Sequence, residues 1–355
     1  MSTSNNPAVS AVRTVAKSRL LWPIAVLIVL LLVNVVVEHR FFSIRIQDGH
    51  LFGSLIDILR NGSPTVLVAI GMTLVIATRG IDLSVGAVVA ISGALAVLII
   101  RDSPTPGSLT TVLIACAIAI GLAAVLGAWN GLLVSVFGIQ PIIATLILLT
   151  AGRGIAQLIT EGQILTVSSQ SYKVIGGGYW FTLPASIIIV AVVFVVAAVV
   201  TRKTALGLLI ESVGINPEAS RLAGVGSRSI IWMVYIFSGI CAGVAGLMIS
   251  SNVTAADSNS AGLWIELDAI LAVVLGGTSL AGGRYSLVGS LIGAFIIQTL
   301  TTTVYSIGIA PEITLVFKAL VVITVCLLQS PQFLAMFRRR GKPRAVTATP
   351  PKVAA

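Results

Sequence analysis

Four polar side chains lie in or beside long apolar stretches of this sequence: Asp82, Ser84, Asn130 and Lys318. Ionisable groups are costly in an apolar environment, and where they occur there they commonly bind a polar solute or an ion. Hydroxyl and amide side chains supply the hydrogen bonds that such a solute needs along its path. These four residues are therefore candidates for a solute pathway.

Each candidate also has a structural explanation, which the residue types alone leave open. Lys318 could extend its amine to the outer membrane interface while its stem stays in apolar surroundings. Asp82 and Ser84 precede an apolar run and could cap its helix. Asn130 could form a hydrogen bond to a neighbouring helix instead of contacting a solute.

A second group of polar side chains lies at the ends of apolar runs. Arg153 and Gln157 are one helical turn apart, and Asp268 follows Glu266 at the start of another run. Residues four apart share a helix face, so Arg153 and Gln157 present two groups of donors side by side. All four could receive a solute or pair with an external partner. A solvated loop is the alternative.

The sequence carries no pattern of a catalytic or metal site. The apolar runs contain no Ser/His, paired-Asp or His-Glu-x-x-His arrangement, and the chain has no Gly-x-x-x-x-Gly-Lys-Ser/Thr phosphate loop. Its three cysteines lie in apolar runs, where they behave as small hydrophobes. We expect no catalytic residue, no metal and no cofactor in this chain.

Long apolar runs must position these residues. Hydrophobic residues make up 57% of the 355 and charged residues only 10%, against about 25% charged residues in a typical soluble domain. A spanning helix needs roughly 20 mostly apolar residues. The runs lie at 20–37, 64–77, 83–100, 109–136, 142–158, 183–200, 230–250, 263–276, 286–300 and 314–328, the second and eighth being short. They predict an all-α polytopic membrane protein with about ten transmembrane helices.

Lysine and arginine counts orient these helices. With both termini in the cytoplasm, the cytoplasmic segments carry fifteen Lys and Arg and the external segments six, as the positive-inside rule requires. The same bias explains the net charge of +10, so we expect no nucleic-acid partner. The predicted domains are a cytoplasmic N-terminal tail (1–19), a transmembrane domain (20–330) and a basic disordered C-terminal tail (331–355).

One polar loop, 201–229, is long for a simple turn and falls on the predicted cytoplasmic face. Within it Asn216 is a good N-cap, Pro217 suits the first helical position, and Glu218 suits the positive end of the helix dipole. Gly224 suits the left-handed residue that follows a helix. The loop is predicted to display a helix of about two turns, and an ordinary capped connector is the alternative.

This loop and three other stretches resemble the permeases of sugar-uptake ABC transporters, the family of ribose, xylose, arabinose and galactose permeases. The stretches are TALG (204–207) with ESVGINPEASRLAG (211–224), GMTLVIATRGIDLSVG (71–86), WNG (129–131) and LDAILAVVLGGTSLAGG (267–283). Within the family, residues 46–59, 152–163 and 261–268 are most similar to the galactofuranose permeases. The similarity runs in order from about residue 20 to 330.

The resemblance implies an ABC importer permease fold in the bacterial inner membrane. It implies two permease subunits (two different ones in the galactofuranose case, with a homodimer as the alternative), a periplasmic sugar-binding protein and a cytoplasmic ATPase that holds ATP and Mg. The imported solute would be a monosaccharide, with a furanose such as galactofuranose favoured. Coupling to the ATPase would fall on Glu211, Gly214, Asn216, Pro217, Glu218, Ala219, Arg221 and Gly224.

Two other functions compete with sugar import. A permease of the same architecture could carry branched-chain amino acids or a signalling sugar, and would need a path that binds amines and carboxylates. An ion-coupled secondary transporter usually needs a carboxylate deep in the membrane. Because every Asp and Glu is predicted at a helix end or in a loop, the sequence disfavours ion coupling.

Overall fold

The computed structural model describes residues 20–37, 41–47, 49–308 and 313–329. The predicted tails, 1–19 and 331–355, lie outside this part of the chain. Helices dominate the described residues: α1 Leu21–Val37, α2 Ser54–Ala77, α3 Val85–Arg101, α4 Leu109–Ser135, α5 Pro141–Ile159, α6 Gln170–Gly177, α7 Ala185–Lys203, α8 Leu206–Ile215, α9 Pro217–Leu222, α10 Ser227–Val253, α11 Ile265–Leu275, α12 Leu287–Ser306 and α13 Ile313–Gln329.

The strands of the described chain are short and form three antiparallel pairs. β1 (Arg45–Gln47) pairs with β2 (His50–Phe52), and β4 (Tyr179–Trp180) pairs with β5 (Leu183–Pro184). The third pair joins β3 (Leu165–Thr166) to β6 (Ala255–Ala256). This third pair links the segments that follow α5 and α10.

Each predicted apolar run coincides with a helix, but the helix lengths differ from prediction. Among the described residues six helices are long and apolar enough to cross a membrane, namely α2, α4, α5, α7, α10 and α12. The second run is not short, because its helix begins at Ser54 rather than Pro64 and has 24 residues. The polar stretch before Pro64 is helical. The eighth run is short, since α11 has 11 residues.

The six long helices divide into a buried set and an exposed set. The apolar windows of α2, α10 and α12 are 61–72% buried inside the bundle, whereas those of α4, α5 and α7 are 22–28% buried. Exposed apolar helices are stable only where lipid or another chain covers them. The bundle therefore has a central layer, in which α2 and α10 both pack, and an apolar outer surface.

Small residues bring α4 and α10 into backbone contact. A Cβ on Gly239 would overlap the carbonyl oxygen of Ala123, and one on Gly127 would lie 2.5 Å from the carbonyl oxygen of Tyr235. Such contacts let membrane helices approach closely. Gly121 takes no part in the contact, because nothing lies within 4 Å of its Cβ position.

Candidate functional site

The best-defined polar site is a buried cluster around Asp82. Its carboxylate accepts hydrogen bonds from the Ser84 backbone N–H (3.1 Å), the Ser84 hydroxyl (2.6 Å) and the Ser238 hydroxyl (2.9 Å). The Asn130 amide donates to the Ser84 hydroxyl at 2.8 Å. All four side chains are at most 1% exposed. The structure thus joins three candidates predicted from the sequence and adds Ser238.

This cluster lies inside the bundle rather than at its edge. Ser238 is the twelfth residue of α10, and a Cβ on Gly71, within α2, would lie 2.9 Å from the Ser238 Cα. The chain therefore turns back into the bundle after α2 ends at Ala77, and α3 begins at depth. Asp82 lies in the loop before α3, as predicted, and this part of the loop is buried inside the bundle.

Of the two residues proposed as helix caps, Asp82 caps α3 through its side chain and Ser84 does not. The Asp82 carboxylate accepts from the Ser84 N–H at the start of α3, which is the expected capping role. Ser84 occupies the N-cap position, but its own side chain makes no capping bond. Asn130 forms the predicted hydrogen bond between helices. In this structure the three side chains hold helices together and are too deeply buried to contact a solute.

Arg153 binds the loop between α10 and α11 instead of facing solvent. Its guanidinium donates to the carbonyl oxygens of Ala261 (2.6 Å), Gly262 (2.9 Å) and Ser258 (3.4 Å). One turn on, the Gln157 amide donates to the Asn259 side chain at 2.9 Å. The two residues share a face as predicted, and together they hold this loop against α5.

The carboxylates of α11 are not solvated. Glu266 is 6% exposed, and its Oε2 has no hydrogen-bond partner among the described residues. The Glu266 side chain lies beside Gly86, near the start of α3. A Cβ added to Gly86 would overlap the Glu266 Oε2 and would lie 3.3 Å from the Arg153 Nη2. Glu266 is therefore not accessible to an external partner in this structure.

Lys318 forms an ion pair with Asp268. Its Nζ lies 2.7 Å from Oδ2 and 3.0 Å from Oδ1, and the two side chains are 13% and 19% exposed. The amine is therefore paired with a carboxylate and largely buried. The pair joins α13 to α11 and borders a groove lined by Trp264 and Leu315.

A cavity of about 380 Å³ opens beside the loop between α10 and α11. Thr65, Ser250, Asp257, Ser260 and Asp268 supply its polar side chains, and apolar residues such as Ile249, Val253 and Leu263 also line it. The Ser260 hydroxyl (2.6 Å) and the Asn259 backbone N–H (2.9 Å) donate to Asp257. These hydrogen bonds, chiefly the one from Ser260, hold the pKa of Asp257 below its usual range. The volume is within the range of small-ligand sites.

The predicted capped helix is present as α9. The Asn216 side chain accepts from the backbone N–H groups of Glu218 and Ala219, both at 3.1 Å, and Pro217 is the first helical residue. Gly224 has a left-handed φ of 86°. Arg221 pairs with Glu218 at 3.0 Å on the exposed surface.

A further helix, α8, precedes α9 and was not predicted. It presses on the end of α2, because a Cβ on Gly214 would overlap the Ala77 carbonyl oxygen. Glu211 of α8 lines a cavity of about 300 Å³ together with Arg284 and Tyr285. Leu222 of α9 is 82% exposed, and Ile215 at the end of α8 is 60% exposed. The α8–α9 segment thus offers apolar side chains outside the long helices.

Comparison with known proteins identifies the family. Residues 54–326 match the family described as "Branched-chain amino acid transport system / permease component". The chain belongs to this family. It is 48% identical to the galactofuranose transporter permease protein YtfT of Escherichia coli over 92% of this chain and 95% of that protein. It is 39% identical to the fructose import permease protein FruF of Bifidobacterium longum, over 97% of each chain.

A ribose import permease protein of Escherichia coli, RbsC, is 35% identical over 86% of this chain and 91% of its own length. No solved structure matches the chain. The predicted resemblance to sugar-uptake permeases is confirmed. The chain belongs to a permease family, and its described residues include six helices long and apolar enough to cross a membrane, so it is an integral membrane protein.

Three residues that matter to these sites were missed from the sequence. Ser238 gave no distinct signal, because a serine in an apolar helix usually bonds to its own backbone. Arg79 was counted only as a cytoplasmic charge. Tyr235, fully buried beside Gly80, is one aromatic residue in a long apolar run. The residues that these three contact are far away in sequence, and no local sequence pattern predicts such contacts.

Proposed function

We propose that this chain is the membrane-spanning permease subunit of an ATP-driven importer for a monosaccharide, with galactofuranose or a related furanose as its solute. The observation that carries the proposal is 48% identity to a galactofuranose permease along almost the whole of both chains. The fructose and ribose relatives support a sugar over an amino acid.

The proposed topology has ten transmembrane helices, α1–α5, α7 and α10–α13, with both termini in the cytoplasm of a bacterial inner membrane. The charge bias of the loops supports this orientation. Single cysteines at Thr105 and Ala223, both exposed, can test it after Cys116, Cys241 and Cys326 are replaced. An impermeant thiol reagent added to whole cells should label position 105 and spare position 223. The reverse pattern would exclude the topology.

The proposed partners are a cytoplasmic ATPase that binds ATP and Mg, a second permease subunit and a periplasmic sugar-binding protein. The α8–α9 segment would contact the ATPase, because it lies on the proposed cytoplasmic face and its apolar side chains are exposed. The residues assigned to this contact remain Glu211, Gly214, Asn216, Pro217, Glu218, Ala219, Arg221 and Gly224.

For the solute, we propose access from outside through the cavity of about 380 Å³, whose polar border includes Asp257, Ser260 and Asp268. Carboxylate and hydroxyl oxygens suit the hydroxyl groups of a neutral sugar. Arg153 and Gln157 would shape this entrance by holding its loop, and Lys318 would hold Asp268. Asp82, Ser84 and Asn130 would contribute from the closed interior by fixing α3.

The deciding experiment measures uptake of labelled galactofuranose, fructose, ribose and leucine. The chain is expressed with its ATPase, second permease and binding protein in cells that lack these systems. Sugar uptake that disappears with a catalytically inactive ATPase is expected. Uptake of leucine alone, or sugar uptake that survives the inactive ATPase, would refute the proposal.

A further inference from the structure

The seven residues between α2 and α3, here called the hub loop (78–84), are connected by hydrogen bonds to three other helices, α4, α5 and α10. The Thr145 hydroxyl of α5 donates to the Ile81 carbonyl oxygen at 3.2 Å. Asp82 accepts from Ser238 of α10, and Ser84 accepts from Asn130 of α4. The loop also leads directly into α3. A movement of the loop would therefore displace α3, α4, α5 and α10.

One side chain of the hub loop points away from the bundle interior. Arg79 is exposed, and its guanidinium donates to the carbonyl oxygen of Ile215. Ile215 is the last residue of α8, next to Asn216, which caps α9. The last carbonyls of a helix lack partners within it and attract cations. Through this hydrogen bond Arg79 binds the junction between α8 and α9.

Backbone contacts also hold α8 against the end of α2 and the hub loop. The Gly283 N–H donates to the Ala77 carbonyl oxygen at 2.9 Å, and Gly214 of α8 lies against that same oxygen. A Cβ on Gly282 would overlap the Arg79 side chain. Because backbone meets backbone here, the α8–α9 junction has little room to move without moving the hub loop.

We propose that Arg79 is a positioning residue for transport, which ties the α8–α9 segment to the hub loop. When the ATPase displaces α9, the Ile215 carbonyl moves with it. Because Arg79 is hydrogen-bonded to this carbonyl, the hub loop is displaced as well. The displacement reaches the Asp82 hydrogen bonds, and with them α3, α4 and α10 move relative to one another. The inference rests on the proposed function, because it needs an ATPase that acts on α9.

The backbone at Arg79 offers a clean test. Its φ is 65°, a left-handed conformation that glycine adopts without strain and other residues do not. Arg79→Gly therefore removes the guanidinium while relieving the backbone. Arg79→Met keeps the aliphatic stem that packs on Gly282 and removes only the charge and the donors. Arg228→Met is the matched control, since Arg228 is an exposed arginine at the start of α10.

The experiment uses the complete transporter in proteoliposomes and measures the ATP hydrolysed for each sugar imported. Arg79→Gly should raise this ratio by about twofold or more, the lower end expected of a residue that carries coupling between sites, with normal amounts of assembled complex. Arg79→Lys, which keeps a donor on a flexible stem, should recover part of the loss, and Arg228→Met should match the unmodified chain.

An unchanged ratio in Arg79→Gly would overturn the inference. If that variant does not assemble, Arg79→Met takes its place, and an unchanged ratio there has the same meaning. A ratio raised equally by Arg228→Met would also overturn it, because any loss of positive charge would then suffice. Failure of the unmodified chain to import sugar with ATP would refute the proposed function instead.

Discussion

Replacing Lys318 with Met tests whether its pairing with Asp268 is structural. The change keeps a flexible apolar stem and removes the ammonium that lies 2.7 and 3.0 Å from the two carboxylate oxygens. Asp268 is then left as a charge that is 19% exposed and has lost its cation. Asp268→Leu makes the converse change, and the double variant removes both charges.

The expected size follows from the burial of the pair. Removing one partner of a buried ion pair costs about 3–5 kcal/mol, whereas replacing both partners by apolar residues is often close to neutral. Lys318 and Asp268 keep a small exposure, so about 3 kcal/mol is expected for each single variant. The double variant should recover most of this loss and be destabilised by only about 1 kcal/mol, instead of the sum of about 6 kcal/mol, which gives a coupling energy of about 5 kcal/mol between the two sites.

The measurement is the temperature at which the purified chain loses its monodisperse form in detergent, for the four members of the cycle. Arg101→Met is the matched control, because its pair with Asp102 has the same 2.7 Å separation but side chains 42% and 57% exposed. It should not change the midpoint detectably. A double variant no more stable than the weaker single variant would refute the structural role. Lost sugar uptake in a stable double variant would place the pair on the solute path.

Three further predictions concern single positions. Gly214→Ala should leave insertion normal but abolish sugar uptake, because the new Cβ overlaps the Ala77 carbonyl oxygen; uptake at the normal rate would show that α8 can shift freely. Asn216→Ala should destabilise α9 by about 1 kcal/mol and speed its amide hydrogen exchange, with Ser212→Ala outside the cap as control. Tyr235→Phe should leave the melting midpoint unchanged or raise it, since it removes a buried hydroxyl without a partner among the described residues; a clear fall would reveal an unrecognised partner.

The sequence predicts the helices and the α9 cap because both depend on local chemistry. Backbone groups in lipid must be satisfied within a helix, so each apolar run is helical here. The cap at Asn216 is likewise fixed by neighbouring residues. The start of α2 was misplaced by ten residues, because the polar stretch before Pro64 looked unable to span and is in fact helical.

The sites could be predicted only as separate residues. Asp82, Ser84 and Asn130 were identified individually, but their meeting with Ser238 depends on how α4 and α10 pack. Lys318 and Asp268 are 50 residues apart, and either could have faced lipid, solvent or a partner. The burial of the connection between α2 and α3 could not be predicted either. Its sequence is typical of a cytoplasmic turn, but the connection folds back into the bundle.

The depth of that connection has a consequence for how the chain is assembled during synthesis. Asp82 accepts a hydrogen bond from Ser238, which the ribosome adds 156 residues later. An unaccompanied aspartate in the middle of a membrane helix costs about 2.5–3.5 kcal/mol to insert. We therefore expect the connection between α2 and α3 to reach its buried position only after α10 has been inserted. In the newly made protein, α3 would then be among the first helices to enter the membrane and among the last to reach its final position.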